Sequence, residues 1–192
     1  MTTKAEYQSR IQRIARSQLL TLWDHIQNND TPDWEPGRAL EYLVIRSLEL
    51  ENAEVAYPFT MQMGGTIVEQ IDGAVHTNGL SCLIECKDQA GNVNIDPIAK
   101  LKNQLSRRPN GVIGLMFSST SFTEATVYLS QYNMNQTVLL WDGDDIDYGL
   151  TNQFMRRGLF NKYWYCVQIG KLITTCYWRE LHEKCLHYYR QS

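Results

Sequence analysis

The chain of 192 residues is expected to fold as an α/β protein, a mixed β-sheet flanked by helices. Three observations predict this. Segments with apolar residues at helical spacing alternate with short strand-like runs. The tetrapeptide "HTNG" (76–79) joins two of those runs through Asn78-Gly79, the strongest short hairpin signal, so part of the sheet is antiparallel. The apolar run "GVIGLMFSS" (111–119) reads as a central strand covered on both faces, as parallel strands are.

The elements follow in order. Residues 3–29 hold good helix formers without Gly or Pro, with Ile11, Ile14, Ala15, Leu19, Leu22, Trp23 and Ile26 at helical spacing, which predicts one long helix. "NNDTPDWEPG" (28–37) breaks it. A second helix starts near Pro36, a residue suited to a first turn, and runs through "GRALEYLVIRSLEL" (37–50). Residues 53–59 read as a strand, "TMQMGG" (60–65) as a loop or turn, and "TIVEQIDGAV" (66–75) and "LSCLIECK" (80–87) as strands. A helix from Pro97 to about Arg107, the central strand, a helix near 123–132 and the strand "TVLLW" (137–141) follow. The acidic "DGDDID" (142–147) is a turn, with Asp144 or Asp145 capping the next helix. The remainder reads mainly as helix, with "NKYWYCVQIG" (161–170) equally open to strand.

The apolar and charged fractions, 43% and 20%, are those of a globular protein. No apolar run approaches a membrane span, and "MTTKAEYQSRIQRIARSQLL" lacks the apolar core of a signal peptide. A cytoplasmic location without membrane partners is expected. Five cysteines without metal-ligand spacing are expected to be buried small hydrophobes. The net charge of −3 is unevenly spread: residues 1–150 hold 11 Lys/Arg against 19 Asp/Glu, and residues 151–192 hold 7 against 2. A basic contact surface beside an acidic centre is therefore permitted.

Charge also enters the strands. Side chains alternate along a strand, so Glu85 and Lys87 leave one face of "SCLIECK" together. Pairing across the Asn78-Gly79 turn sets Asp72 near the end of that strand. Two converging carboxylates repel unless a proton or cation lies between them. A hard divalent ion takes a few carboxylate oxygens and keeps the rest of its shell for water and phosphate. With a lysine nearby, this is the inventory of metal-assisted phosphodiester hydrolysis. Glu41 shares a helical stripe with the apolar Val44, Ile45 and Leu48, which sets it apart from a simple solvated charge.

Asp72, twelve intervening residues, then Glu85-Cys86-Lys87 resembles the PD-(D/E)xK nuclease superfamily, and the helix and apolar strand that follow resemble its Mrr-like restriction endonuclease branch. Ile71 stands where the family name has proline. The resemblance covers roughly residues 36–141 and implies a restriction-endonuclease-like core with N-terminal (1–35) and basic, aromatic C-terminal (142–192) helical additions, the latter packed on the core. It implies a DNA endonuclease that yields a 5′-phosphate and a 3′-hydroxyl and uses Mg²⁺, with Mn²⁺ as a substitute. Asp72, Glu85 and the Cys86 carbonyl would hold the metal, and Glu41 would complete its shell. Lys87 would position or help activate water, and Gln104 would face the site. Cleavage of both strands needs two sites, hence a homodimer.

Blander readings stand beside these. Glu85 and Lys87 can form a plain strand-edge ion pair, with Asp72 opening a turn, and Gln104 can be a surface residue. Lys100, Lys102, Arg107 and Arg108 form either a phosphate-backbone contact or a solvated helix face. The aromatic and basic residues of 151–192 suit packing or dimerisation better than nucleic-acid stacking. As a whole, the alternative is a catalytically silent nuclease-fold protein that binds nucleic acid or assembles a complex; a purely structural interaction protein is a third.

Overall fold

A computed structural model describes residues 4–57, 59–132 and 136–170. It opens with α1 (Lys4–Gln12), α2 (Arg16–Gln27) and α3 (Arg38–Leu50), followed by β1 (Glu54–Ala56), β2 (Phe59–Met63), β3 (Thr66–Ile71), β4 (Gly73–Thr77) and β5 (Leu80–Lys87). Then come α4 (Asp96–Leu105), β6 (Val112–Ser118), α5 (Glu124–Tyr132), β7 (Val138–Trp141), α6 (Gly143–Thr151) and α7 (Met155–Ile169). Five strands form a mixed sheet in the order β1-β4-β5-β6-β7. The β1-β4 and β4-β5 pairs are antiparallel, and the β5-β6 and β6-β7 pairs are parallel. The predicted α/β class and its mixture of hairpin and crossover pairing are thus observed.

Alternation splits the sheet's side chains between two cores. Cys82, Ile84, Cys86, Leu115, Phe117 and Trp141 point into a core shared with α1, α2, α3, α6 and α7. Leu83, Met116, Val138 and Leu140 point to the other face, where Ile98, Leu101 and Leu105 of α4 cover them. Both faces of β5 and β6 are therefore dry, as the apolar run in β6 predicted.

Several elements differ from the sequence expectation. The N-terminal helix is two helices, because Arg46 of α3 donates from Nη2 to the Gln12 carbonyl at 3.0 Å and from Nε to the Ile14 carbonyl at 3.4 Å. These bonds satisfy carbonyls that a helix break exposes, and Gln18 Oε1 accepts the Ala15 amide at 2.8 Å to start the next helix. Helix α3 begins after Pro36, because Gly37 adopts the left-handed region at φ 81°. "TMQMGG" is strand plus turn: Gly64 and Gly65, both at positive φ, close the β2-β3 hairpin, a separate two-stranded sheet. At the next turn Asn78 and Gly79 have φ 50° and 78°, as a tight primed turn requires. Asp142, rather than Asp144 or Asp145, caps α6, accepting from the Asp145 amide at 2.9 Å. "NKYWYCVQIG" is helical up to Ile169.

Of the C-terminal extension, α6 and α7 are described and bury Ile146, Leu150, Met155, Leu159 and Cys166 in the first core. The aromatic and basic residues of 171–192, expected to serve packing or dimerisation, lie outside the described residues. Cys82, Cys86 and Cys166 are buried free thiols. Among the described residues no helix is long and apolar enough to cross a membrane.

Candidate functional site

The candidate site forms at the C-terminal end of β5, where chain direction and register gather four charged side chains. Gly73 pairs with Ile84, so Asp72, at the bend between β3 and β4, comes level with the end of β5. Its Oδ2 accepts the Cys86 backbone amide at 2.8 Å. Glu85 projects beneath α4 and its side chain is only 2% exposed. Its Oε1 accepts two ammonium groups, Lys87 Nζ at 2.8 Å and Lys100 Nζ at 3.0 Å. Its Oε2 is buried and makes no hydrogen bond, although a buried carboxylate oxygen without a partner is costly.

Glu41 reaches the cluster from α3, on the opposite face of the sheet. Helix α3 crosses close to β4, because Ile45 fills the space above Gly73: a Cβ there would lie 2.4 Å from Ile45 Cδ1. Glu41 lies one turn before Ile45 and is held by Arg38 Nη1 at 2.6 Å. Burial and then the Asp72 charge push the Glu41 carboxyl up to about 7 despite Arg38. Burial and then the Glu85 charge push Asp72 up to about 6. Burial works to lower the Lys87 pKa, but the hydrogen bond and charge of Glu85 outweigh it and the value rises. Lys87 is therefore a firmly protonated ammonium at neutral pH.

Among the described residues no three His, Cys, Asp or Glu side chains stand together at metal-ligand spacing. Glu41 is turned toward Arg38, and two lysines occupy one oxygen of Glu85. The donor chemistry nevertheless fits a hard divalent ion: Glu85 keeps an orphaned buried oxygen, and beside it burial and the Glu85 charge hold the Asp72 carboxyl above its ordinary value.

The remaining expected residues are accounted for as follows. Gln104 is buried rather than on the surface, one helical turn beyond Lys100, and donates from Nε2 to the Gln70 carbonyl at 3.4 Å, with Oε1 unbonded. The four basic residues assigned to nucleic acid are all engaged within the chain. Lys100 bonds Glu85, Lys102 donates to the Ser130 carbonyl at 3.1 Å, and Arg107 and Arg108 both hold Glu69 at the root of the β2-β3 hairpin. Among them Lys100 and Arg107 keep side-chain exposures of 56% and 45%. Sequence reasoning missed Lys100 as a member of the centre. The available signal was its spacing, four residues before Gln104, which puts both on one side of the helix. Beside the site, a cleft of about 390 Å³ is lined by Trp34, Pro36, Gly37 and Asp88 among others, and Asp88 directly follows Lys87.

The raised carboxyls give a signed prediction. A carboxyl with a higher pKa in the fold than in the unfolded chain binds its proton more tightly when folded, so its contribution to stability is lost as pH rises. Glu41 at about 7 and Asp72 at about 6 place that loss between about pH 4 and 7. Thermal melts in EDTA are expected to show a lower Tm at pH 8 than at pH 5, with Mg²⁺ recovering part of the loss at pH 8. Asp142, also raised to about 6 by burial and the Asp145 charge, adds to the slope but not to the Mg²⁺ recovery. A Tm that rises from pH 5 to pH 8 in EDTA would contradict these environments.

No protein-family profile matches the chain, and no curated protein sequence does. Solved structures with a partial likeness include a protein of unknown function, AF1548, at 18% identity and TM-score 0.42, covering 59% of this chain and 65% of that one. The DNA modification-dependent restriction endonuclease AspBHI is similar at 16% identity and TM-score 0.43, over 82% of this chain and 39% of its own. The MspJI restriction endonuclease, in complex with a 27-mer oligonucleotide, is similar at 16% identity and TM-score 0.40, over 95% of this chain and 42% of its own. The chain spans less than two thirds of the length of each of these structures.

Proposed function

We propose that the chain is a divalent-metal-dependent endonuclease of the PD-(D/E)xK, restriction-endonuclease-like kind, hydrolysing phosphodiester bonds of DNA. One observation carries the reading: the Asp72 and Glu85 carboxylates converge at the end of β5 beside the Lys87 ammonium, with Glu85 Oε2 buried and unbonded. Asp72, Glu85 and the Cys86 carbonyl are the residues to hold Mg²⁺ or Mn²⁺, with Glu41 completing the shell. Such an ion, when bound, polarises the phosphoryl group and acidifies a water.

The chain's own groups then have separable tasks. Lys87, kept protonated by Glu85, acts as a cationic donor to the attacking water or the phosphoryl oxygen rather than as a proton acceptor. Arg38 Nη1 holds Glu41 Oε2 at 2.6 Å until the ion enters. The Cys86 amide fixes Asp72. Cutting both strands of a duplex calls for two such centres, so the active form is proposed to be a homodimer.

The test is incubation with supercoiled, linear and single-stranded DNA in EDTA, Mg²⁺ or Mn²⁺, beside Lys87→Ala. The expected result is cleavage in Mg²⁺ or Mn²⁺ that EDTA abolishes and the variant lacks. Cleavage of equal rate in the variant would remove Lys87 from the centre. A second reading, the catalytically silent DNA-binding protein, is favoured by the Arg38–Glu41 pair and by the lack, among the described residues, of three carboxylates at metal-ligand spacing. It requires DNA binding that Lys87→Ala leaves intact and no cleavage in any metal.

A further inference from the structure

Two lysines share one oxygen of Glu85, and the proposed chemistry uses only Lys87. The pair differ in how they are held. Lys87 comes from β5, two residues from Glu85 on the same strand face, with a side chain 31% exposed; its backbone is fixed, as its carbonyl accepts the Ser119 amide at 3.0 Å. Lys100 arrives from α4, fifteen residues along the chain, on a side chain 56% exposed. One lysine is built into the sheet, and the other leans in from solvent.

The charge count bears on why it leans in. Glu41, Asp72 and Glu85 are matched by Arg38, Lys87 and Lys100, three against three, and both Lys87 and Lys100 act to lower the Asp72 pKa. Without Lys100 the cluster would carry an uncompensated negative charge in a mostly buried place. With Lys100 present, a divalent ion on Asp72 and Glu85 would face an ammonium within a few ångströms, and like charges so close exclude each other.

We infer that Lys100 is a placeholder cation: it fills the charge deficit of the metal-free centre, leaves Glu85 when a divalent ion enters, and turns to the phosphate of the bound strand. This rests on the proposed nuclease centre and adds to it a residue that couples metal binding to substrate binding. The exposed stem gives Lys100 room to swing, whereas Lys87 rises two residues from Glu85 on the same strand face, from a fixed backbone and with less exposure. Lys100 is a positioning residue in the free protein and touches substrate only after the exchange.

The experiment is a calorimetric Mn²⁺ titration of the wild-type chain, Lys100→Met, Lys100→Arg and Asp72→Asn, followed by binding of a short DNA duplex in Ca²⁺ and in EDTA. Methionine keeps the stem and removes the charge. Lys100→Met is expected to bind Mn²⁺ about tenfold more tightly than wild type, to melt lower than wild type in EDTA, and to lose DNA affinity in Ca²⁺ but not in EDTA. Lys100→Arg is expected to keep the wild-type Mn²⁺ affinity. If Lys100→Met binds Mn²⁺ no more tightly than wild type while Asp72→Asn abolishes binding, the placeholder role fails and the metal centre stands. If wild type binds no Mn²⁺, the centre itself fails and the placeholder with it.

Discussion

Asp72→Asn is expected to move activity and stability in opposite directions. Asparagine keeps an oxygen to accept the Cys86 amide, a bond of 2.8 Å in the wild-type chain, and removes one charge from a cluster that repels itself. Burial and the Glu85 charge raise the Asp72 pKa to about 6, so its ionised form costs the fold on the order of 1–3 kcal/mol at neutral pH. In EDTA at pH 7.5 the variant should melt a few degrees higher, at about 2–4 °C per kcal/mol for a chain of this size. Cleavage should fall by a factor on the order of 10³, since the lost charge is needed where the cation and the developing phosphoryl charge meet.

Lower pH should mask the first effect. At pH 5 wild-type Asp72 is itself mostly protonated, and the stability gain of the variant should shrink. A variant that melts lower than wild type in EDTA at pH 7.5 would mean that Asp72 is a structural ion-pair partner. That outcome, with cleavage retained, would return the hairpin to the reading of a plain strand-edge charge pair. The opposed shifts separate a residue kept for chemistry from one kept for the fold.

Much of this arrangement was legible because it is local. The Asn78-Gly79 turn sets the β4-β5 register, and period-two alternation groups Glu85 with Lys87; neither needs knowledge of the rest of the chain. Glu41 stood out because a carboxylate on an apolar helical stripe needs a reason. What was missed depends on contacts between distant segments. Arg46 breaks the first helix by reaching Gln12 and Ile14 from more than 30 residues away. Lys100 meets Glu85 only because α4 lies across that face of β5. In sequence Arg107 and Arg108 read as a phosphate contact or a solvated helix face; their bonds to Glu69 join segments far apart in the chain. The β2-β3 hairpin is the exception: Gly64-Gly65 is a local turn signal, and reading 60–65 as loop or turn includes that turn but omits the strand Phe59–Met63 that leads into it.

Lys162→Met is expected to cause the largest loss of stability. In sequence Lys162 sits among the aromatic and basic residues that suit packing or dimerisation, and in the fold its side chain is 1% exposed. Nζ donates to Asp145 Oδ2 at 2.6 Å and to the Leu140 carbonyl at 2.8 Å, and lies 5.1 Å from the Trp141 ring centroid. The ammonium thus ties α7 to the end of β7 and to the first turn of α6. Asp145 is equally buried and stands beside Asp142, whose pKa burial and Asp145 already raise to about 6. Methionine matches the stem but leaves two carboxyls facing each other without their cation. Breaking a buried pair from one side costs about 3–5 kcal/mol, a fall in Tm on the order of 10 °C. The loss should be larger at pH 8 than at pH 5: Asp142, raised to about 6 by burial and the Asp145 charge, loses in Lys162 a cation that favours its ionised form, so that form burdens the fold more as pH increases. Lys162→Met/Asp145→Asn should recover at least half of the loss, because the second change removes the stranded charge while the asparagine oxygen can still accept the Asp142 amide. If the double variant melts no higher than Lys162→Met, the cost lies in the lost packing and carbonyl bond of Lys162, and the charge pair is not what fastens α7 to the sheet.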